Sequence, residues 1–285
     1  MADVLLATCA DLPDGEPAGD LLVKELGQRG IEARYVAWDE PGVDWRSARL
    51  VLVRSTWDYY TRRDEFLAWA RSVGDRLVNR PEALAWNTDK AYLVDLGETP
   101  LPVVPTVAVD EEAELAPAVA AFAPAVVKPR VGAGGEGVVV FDGEPGGPAA
   151  LDESQIDSGP WVVQPLVGSV RTEGETSVFV LGGDVVSQVR KLPAGSEIRV
   201  HEEYGGRTDV VPVTSEAAQV AVETVKVAEE LLGVRLPYAR VDLMRLDDGV
   251  LAVSELEITE PGLYLDVLPA NAEAFADLVE DLLRG

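Results

Sequence analysis

With 285 residues, 47% of them hydrophobic, the chain can bury a large core and divide into two or three lobes. A formal net charge of −26 argues against nucleic acid or an anionic membrane as partner, so an anionic small ligand would need a local positive pocket. The lone cysteine, Cys9, excludes an intrachain disulfide and a multi-cysteine metal site, and reads as a small buried residue. With no basic signal region and no run of about 20 apolar residues, the expected location is the cytoplasm.

In chain order, Val4 to Thr8 is a buried-type strand. Glu16 to Arg29 has helical spacing, with Leu21, Leu22, Val23 and Leu26 on one side and Gly30 closing it. Ala33 to Trp38 and Leu50 to Val53 read as strands, and Asp64 to Val73 as a helix. This alternation predicts a small parallel sheet with its ligand edge at the strand C-termini. Two loops fall at that edge, Cys9 to Gly15 and Arg54 to Tyr60. The second, RSTWDYY, is dense in polar and aromatic groups, which suits substrate contact and plain aromatic anchoring about equally. A proline-bearing seam, Arg80-Pro81 and Thr99-Pro100-Leu101-Pro102, frames a predicted helix from Thr88 to Leu96. Asn87 and Thr88 are its candidate N-caps, and Lys90 lies on an early turn.

The next stretch, AVVKPRVGAGGEGVVVF from Ala125 to Phe141, sets Lys128 on a short β-branched strand and follows it with a glycine-rich turn. Gly132, Gly134 and Gly137 satisfy G-x-G-x-x-G, but a dinucleotide fingerprint opens a helix, and here Val138 to Phe141 are β-formers. A protein-kinase loop fails because its lysine follows the glycines, and neither H-R-D nor D-F-G occurs. There is no G-x-x-x-x-G-K-[ST] either. The pattern predicts a hairpin flap whose backbone N–H groups can approach phosphates, with Lys128 as a fixed charge beside them. An ordinary glycine-rich hairpin turn fits the stretch alone about as well.

Beyond it, WVVQPLV from Trp161 to Val167 is an apolar strand, and GETSVFVLGGDVVSQVRKL holds two strands turning at Gly182-Gly183-Asp184. Leu192 to Gly206 is polar and reads as a mobile loop, carrying Arg199 and the only histidine, His201. Ser215 to Leu232 keeps a 3.6-residue apolar period, a scaffold helix. The strongest chemical signal follows: YARVDLMRLDDGVLAVSELEITEPGLYL reads as two strands joined at Asp247-Asp248-Gly249. Alternation puts Arg240 and Asp242 on one face of the first strand, and Glu255 and Glu257 on one face of the second. Three such carboxylates repel in a partly buried site unless a cation lies between them, and Mg²⁺ is the hard ion that suits them. A solvated acidic hairpin is the competing reading.

Lys90, then VVKP with its glycine loop, QPLV, the strand start GETS, ARVD and SELEITEPG occur in an order that resembles the ATP-grasp superfamily, in its glutathione synthetase and D-alanine:D-alanine ligase branch. RSTWDYY and ELEITEPGLYL look most like the group that includes D-cycloserine synthetase, an intramolecular ligase. The resemblance implies an α/β (α+β) ATP-grasp fold: a small parallel-sheet lobe at 1–85, a central lobe with the flap at 86–167, and a carboxylate-bearing lobe at 168–285, clamping ATP.

It further implies that Lys90 and Lys128 hold the ATP phosphates under Gly132, Gly134, Gly135 and Gly137. Gln164, Leu166 and Val167 would face the adenine, and Glu175 the ribose. Asp242, Glu255 and Glu257 would hold Mg²⁺, although the last position is often asparagine in relatives. Lys191, Arg199 and Arg240 would surround the transferred phosphoryl group. Ser55, Thr56, Asp58, His201 and Gly206 would contact an amino-acid-like carboxylate substrate, His201 with a slender claim to be the base.

The implied reaction activates a carboxylate as an acyl phosphate, which a nitrogen then attacks. It needs positioning and charge neutralisation rather than a protein nucleophile. The expected activity is an ATP-dependent carboxylate–amine ligase, including a cyclo-ligase forming D-cycloserine from O-ureido-D-serine. Its alternatives are an intermolecular amino-acid or dipeptide ligase, and a non-catalytic ATP-binding regulator on the same scaffold. A homodimer is common in this branch.

Overall fold

The computed structural model describes residues 2–143 and 158–285. Strands β1 (Val4–Thr8), β2 (Ala33–Ala37) and β3 (Leu50–Ser55) form a parallel sheet in the order β2-β1-β3. β1 is buried along its whole length, as a central parallel strand covered on both faces must be. Helices α1 (Asp20–Gln28) and α2 (Arg63–Val73) supply the cover. The helix expected from Glu16 starts only at Asp20, because Pro17 and Ala18, the latter at φ 61°, hold the chain in another path. Glu16 is thereby turned inward and is 5% exposed.

The helix expected over Thr88 to Leu96 is two helices, α3 (Pro81–Asn87) and α4 (Tyr92–Gly97). Pro81 starts α3, where its fixed φ and missing N–H cost nothing. Between the two, Asp89 accepts the Ala91 amide at 2.9 Å, and the Lys90 amide donates to the Arg130 carbonyl at 2.7 Å. These bonds end the helical run and fix Lys90 in a tight turn.

The second sheet is antiparallel, with β4 (Val107–Val109), β5 (Ala125–Pro129), β6 (Val139–Phe141) and β7 (Trp161–Pro165) in the order β4-β7-β5-β6. One face carries α5 (Glu112–Phe122), started by a capping box between Glu111 and Glu114 and absent from the sequence reading. The third sheet has five antiparallel strands, β8 (Glu175–Leu181), β9 (Asp184–Leu192), β10 (Arg207–Val210), β11 (Tyr238–Arg245) and β12 (Leu251–Glu257), ordered β10-β9-β8-β11-β12. On one face lies α6 (Ser215–Leu232), which Thr214 caps through the Ala217 amide. A terminal helix that the sequence reading omitted, α7 (Ala270–Arg284), packs between this sheet and α1.

The first and third sheets share a core in which Val4, Leu6 and Leu22 meet Phe179, Tyr238 and Phe275. Polar bonds reinforce the seam. Arg54, fully buried, donates to the Pro261 carbonyl at 2.6 Å and lies 4.6 Å from the centre of the Phe275 ring. Asn79 donates to the carbonyls of Tyr238 and Ile258 at 2.8 and 2.7 Å. The second sheet keeps its own core, built on Val127, Phe141, Trp161 and Leu115. Among the described residues no helix is long and apolar enough to cross a membrane.

Candidate active site

A cavity of about 820 Å³ opens where the three sheets meet. The β11–β12 ladder supplies one wall. Asp242 pairs with Glu255 and Arg240 with Glu257 in its register, so all four side chains share a face. Oxygens of Asp242, Glu255 and Glu257 lie within 4.8 Å of one another. On the neighbouring strands Glu175 and Lys191 are also register partners.

Cations are woven through these acids. Arg240 donates to both oxygens of Asp242 at 3.0 Å each, and also to Glu257. Lys191 pairs with Glu175 and lies 3.0 Å from Asp242, while Lys90 Nζ donates to Glu255 at 2.6 Å. Burial raises every one of these carboxyls, and the local cations decide where each settles. Against burial, Arg240 and Lys191 hold Asp242 well below the usual carboxylate range. Lys90 and Lys128 outweigh burial at Glu255 and hold it near 2. At Glu257 burial, joined by the charges of Asp242 and Glu255, prevails over Arg240 and pushes the carboxyl up to about 7. Glu175, Asp242, Glu255, Glu257 and Glu260 face Lys90, Lys128, Lys191 and Arg240, which leaves the site short of positive charge.

The opposite wall is the predicted hairpin. β5 and β6 pair as expected, with Ala125 opposite Phe141 and Val127 opposite Val139. Lys128 lines the cavity with no ion pair or hydrogen bond among the described residues. Burial, with repulsion from Lys90, outweighs the pull of Glu255 and holds its ammonium below the ordinary lysine range. Gly134, Gly135 and Gly137 take φ of 62°, 73° and 69°, which a side chain would oppose. At Gly135 a Cβ would stand 3.2 Å from His201 Nδ1, so the loop lies directly against the 192–206 segment. The tip is fastened to the first lobe by Tyr60, whose hydroxyl donates to Glu136 at 2.5 Å.

Most of the residues singled out in the sequence come together here. Lys90, Lys128, Gly132, Gly134, Gly135, Gln164, Leu166, Val167, Glu175, Lys191, Arg199, His201, Arg240, Asp242, Glu255 and Glu257 all line the cavity. Several are already engaged. Gln164 donates to Thr106 at 2.9 Å, and the Leu166 amide to the Pro124 carbonyl at 2.8 Å. Glu175, expected at the ribose, is held by Lys191 and accepts from Ser254 at 3.2 Å. Arg199 donates to Glu197 at 2.7 Å and stacks over the Tyr204 ring at 3.6 Å. Burial, then the charge of Lys191, pushes His201 down to about 4, so the imidazole is neutral and a weak base.

Others fall outside the lining. Ser55 ends β3 and Thr56 follows it, both fully buried beneath the cavity wall. Asp58 points to Trp38, accepting its indole N–H at 2.9 Å, and to Arg62. Gly137 closes the flap turn. Gly206 closes the polar loop, where a Cβ would stand 2.1 Å from the Val200 carbonyl oxygen. None of the residues 9–15 reaches the cavity.

In their place the first lobe contributes Glu16, Trp57, Tyr59 and Tyr60. Glu16 accepts the Leu263 amide at 2.7 Å and faces Arg54 at 3.5 Å. Asn87, set aside in the sequence as an N-cap, instead bonds the Leu256 carbonyl and the amides of Ile258 and Thr259. Glu260 was overlooked beside the metal-type carboxylates; an acidic residue within the turn that follows them was its only signal.

Residues 4–79 match the N-terminal domain of D-cycloserine synthetase DcsG, and residues 96–262 match the ATP-grasp domain of prokaryotic glutathione synthetase. The chain is similar to the cycloserine biosynthesis protein DcsG of Streptomyces lavendulae, 30% identical over 272 residues that cover 90% of each chain. With a glutathione synthetase of Synechococcus elongatus it shares 28% identity over 205 residues, 71% of this chain and 59% of that one. A crystal structure of D-cycloserine synthetase DcsG superposes with a TM-score of 0.84 at 28% identity, covering 98% of this chain and 99% of that one. The ATP-grasp ligase PsnB, bound to a minimal precursor, shares the fold at a TM-score of 0.66 and 16% identity, covering 98% and 99%.

Proposed function

This chain belongs to the ATP-grasp ligases, and on that footing we propose that it is an intramolecular cyclo-ligase that closes O-ureido-D-serine into D-cycloserine. The observation that carries the reading is the facing of unpaired Lys128 and its glycine loop, across one cavity, toward Asp242, Glu255 and Glu257. Support for the substrate comes from the first lobe, whose relative is the N-terminal domain of a D-cycloserine synthetase. The lobe boundaries at 85 and 167 belong to the same proposal, each interval holding one sheet.

ATP-grasp ligases use ATP and Mg²⁺. The donor set here fits Mg²⁺: three carboxylates, no imidazole or thiolate among them, with Glu257 pushed up to about 7 by burial and then by the charges of Asp242 and Glu255. Asp242, Glu255 and Glu257 would hold the ion, and its positive charge would offset the negative charge of the phosphates. Lys90 and Lys128 would bind the phosphates, and the N–H groups of the glycine loop would cover them and exclude water. Arg240 keeps Asp242 and Glu257 oriented while offering its charge to the reacting phosphoryl group. Leu166 and Val167 would offer the adenine their remaining backbone groups.

The substrate carboxylate takes the γ-phosphoryl group, giving an acyl phosphate and ADP. The oxygen-bonded nitrogen of the same molecule then attacks the acyl carbon, a C–N bond closes the five-membered ring, and phosphate leaves. D-Cycloserine carries no carbamoyl group, so hydrolysis of that group follows.

The test is phosphate release by the purified protein with ATP, Mg²⁺ and O-ureido-D-serine, with the product followed by mass spectrometry. Phosphate and D-cycloserine should appear together. Turnover only with an amino acid plus a separate amine would replace the cyclo-ligase by an intermolecular ligase, and no stimulated turnover with any carboxylate would refute the reading.

A further inference from the structure

Glu260 lines the cavity but serves neither phosphate nor metal in this scheme. It lies three residues beyond Glu257, where the chain leaves β12 and turns through Pro261 and Gly262. The residue is 8% exposed, yet its carboxyl has no hydrogen bond or ion pair with any described residue. By contrast Glu16, Glu175 and Asp242, equally buried, each have a cationic partner. A desolvated, unpaired carboxyl is costly, and it persists where a ligand completes it.

Its backbone is firmly held. Trp57 Nε1 donates to the Glu260 carbonyl at 3.2 Å, Arg54 holds the next carbonyl, and Asn87 holds the two preceding amides. A Cβ on Gly262 would lie 3.4 Å from the Trp57 ring and 3.7 Å from Arg240 Nη1. The segment therefore runs between the first-lobe wall and the arginine that faces the phosphoryl group.

We propose that Glu260 is the general base of the ring-closing half-reaction, receiving the proton of the attacking nitrogen. The proposal rests on the cyclo-ligase reading and deepens it. In O-ureidoserine that nitrogen carries an acyl group, so its lone pair is delocalised and it attacks only as its N–H proton departs. As the N–C bond forms, the bond from carbon to the phosphate oxygen breaks and phosphate leaves with that electron pair. The proton passes to the Glu260 carboxylate and then to water.

Burial, then the like charge of Glu257, raises the Glu260 carboxyl; Glu255 adds to this while Lys90 and Arg240 oppose it, and the balance is about 8. Tyr59 lines the same cavity from the first lobe, and its phenol is raised by burial and then by the charge of Glu260. At that value the ionised fraction is small at pH 7 and grows through pH 8, and once ionised the carboxylate is a stronger base than a solvated carboxyl or His201.

The experiment compares wild type, Glu260→Gln and Glu260→Asp in chemical-quench single turnovers with ATP, Mg²⁺ and O-ureido-D-serine, measuring ADP and D-cycloserine separately. Glu260→Gln should form ADP at close to the wild-type rate and slow ring closure by about 100-fold or more. Glu260→Asp should recover part of the loss, and the Mg²⁺ dependence of ATP binding should be unchanged in both. Parallel loss of ADP and product, or a weakened Mg²⁺ dependence, would make Glu260 a structural or metal-holding residue and overturn the proposal. Normal ring closure in Glu260→Gln would overturn it too. A wild-type protein inert to O-ureido-D-serine would sink the cyclo-ligase reading, and this proposal with it, whereas the other outcomes leave that reading standing.

Discussion

Replacing Asn87 by alanine isolates the device that sets the acidic strand in place. Its amide N–H donates to the Leu256 carbonyl at 2.6 Å, and its Oδ1 accepts from the Ile258 amide, the Thr259 amide and the Thr259 hydroxyl at 3.0, 3.1 and 3.0 Å. All four bonds are buried. At about 1 kcal/mol net for each hydrogen bond, the substitution costs ~4 kcal/mol, and more if water cannot reach the stranded groups, each then worth about 1–3 kcal/mol. The loosened segment carries Glu255, Glu257 and Glu260, so turnover should fall along with stability. Urea unfolding gives the stability, and hydrogen exchange at the Ile258 and Thr259 amides localises the change. Asn87→Asp keeps the acceptor but sets an oxygen against the Leu256 carbonyl, and should lose part of the same energy. If Asn87→Ala unfolds within about 1 kcal/mol of wild type, and the two amides stay protected, the anchoring argument is wrong.

Three further outcomes follow from the site. Lys128→Met should remove most turnover yet leave the fold as stable as wild type or more so. Because the native state depresses the ammonium, the unfolded chain binds that proton more tightly, so as pH falls below the unfolded lysine pKa the charge works increasingly against the native state. A large fall in melting temperature would contradict that. Because His201 is pushed down to about 4, the unfolded or undocked chain takes up a proton first as pH drops below 6.5. Docking of the 192–206 segment should then weaken between pH 6.5 and 4, and His201→Asn should abolish that dependence in a proteolysis assay. Tyr60→Phe removes the bond to Glu136 and should speed cleavage of the 131–137 loop with stability changed by less than about 1 kcal/mol; an unaltered cleavage rate would show that the bond does not fasten the loop.

What the sequence disclosed was local in origin. The β5–β6 flap was legible because β-branched runs flank a turn that only glycine suits, and the β11–β12 acids because strand alternation assigns them a face before any tertiary contact is known. Glu16 was misread for the opposite reason. Its role depends on Leu263, 247 residues away, and its local spacing looks helical until Ala18 turns the chain. Polarity in the 54–60 loop pointed to the right stretch but to the wrong face of it: Trp57, Tyr59 and Tyr60 reach the cavity, while Ser55, Thr56 and Asp58 support it from behind. Pro81, placed in the seam that frames a helix from Thr88, instead opens a helix of its own, because proline in a first turn and proline in a linker look alike in one dimension.

Arg54, Asn79 and the Tyr238 hydroxyl rivet the parallel sheet to the five-stranded one, so those two layers behave as a single anvil. The four-stranded sheet has a separate core and meets the rest through scattered ties: the backbone bonds of 102–104 with Val253, the small apolar cluster of Val104, Val167 and Ala252, the Arg130–Asp89 pair and the Tyr60–Glu136 bond. With its own core and only these local ties, the four-stranded layer is the one that can shift with least loss of buried packing. Any such shift would change the distance from Lys128 on β5 to the carboxylates on β11 and β12, which are fixed to the anvil.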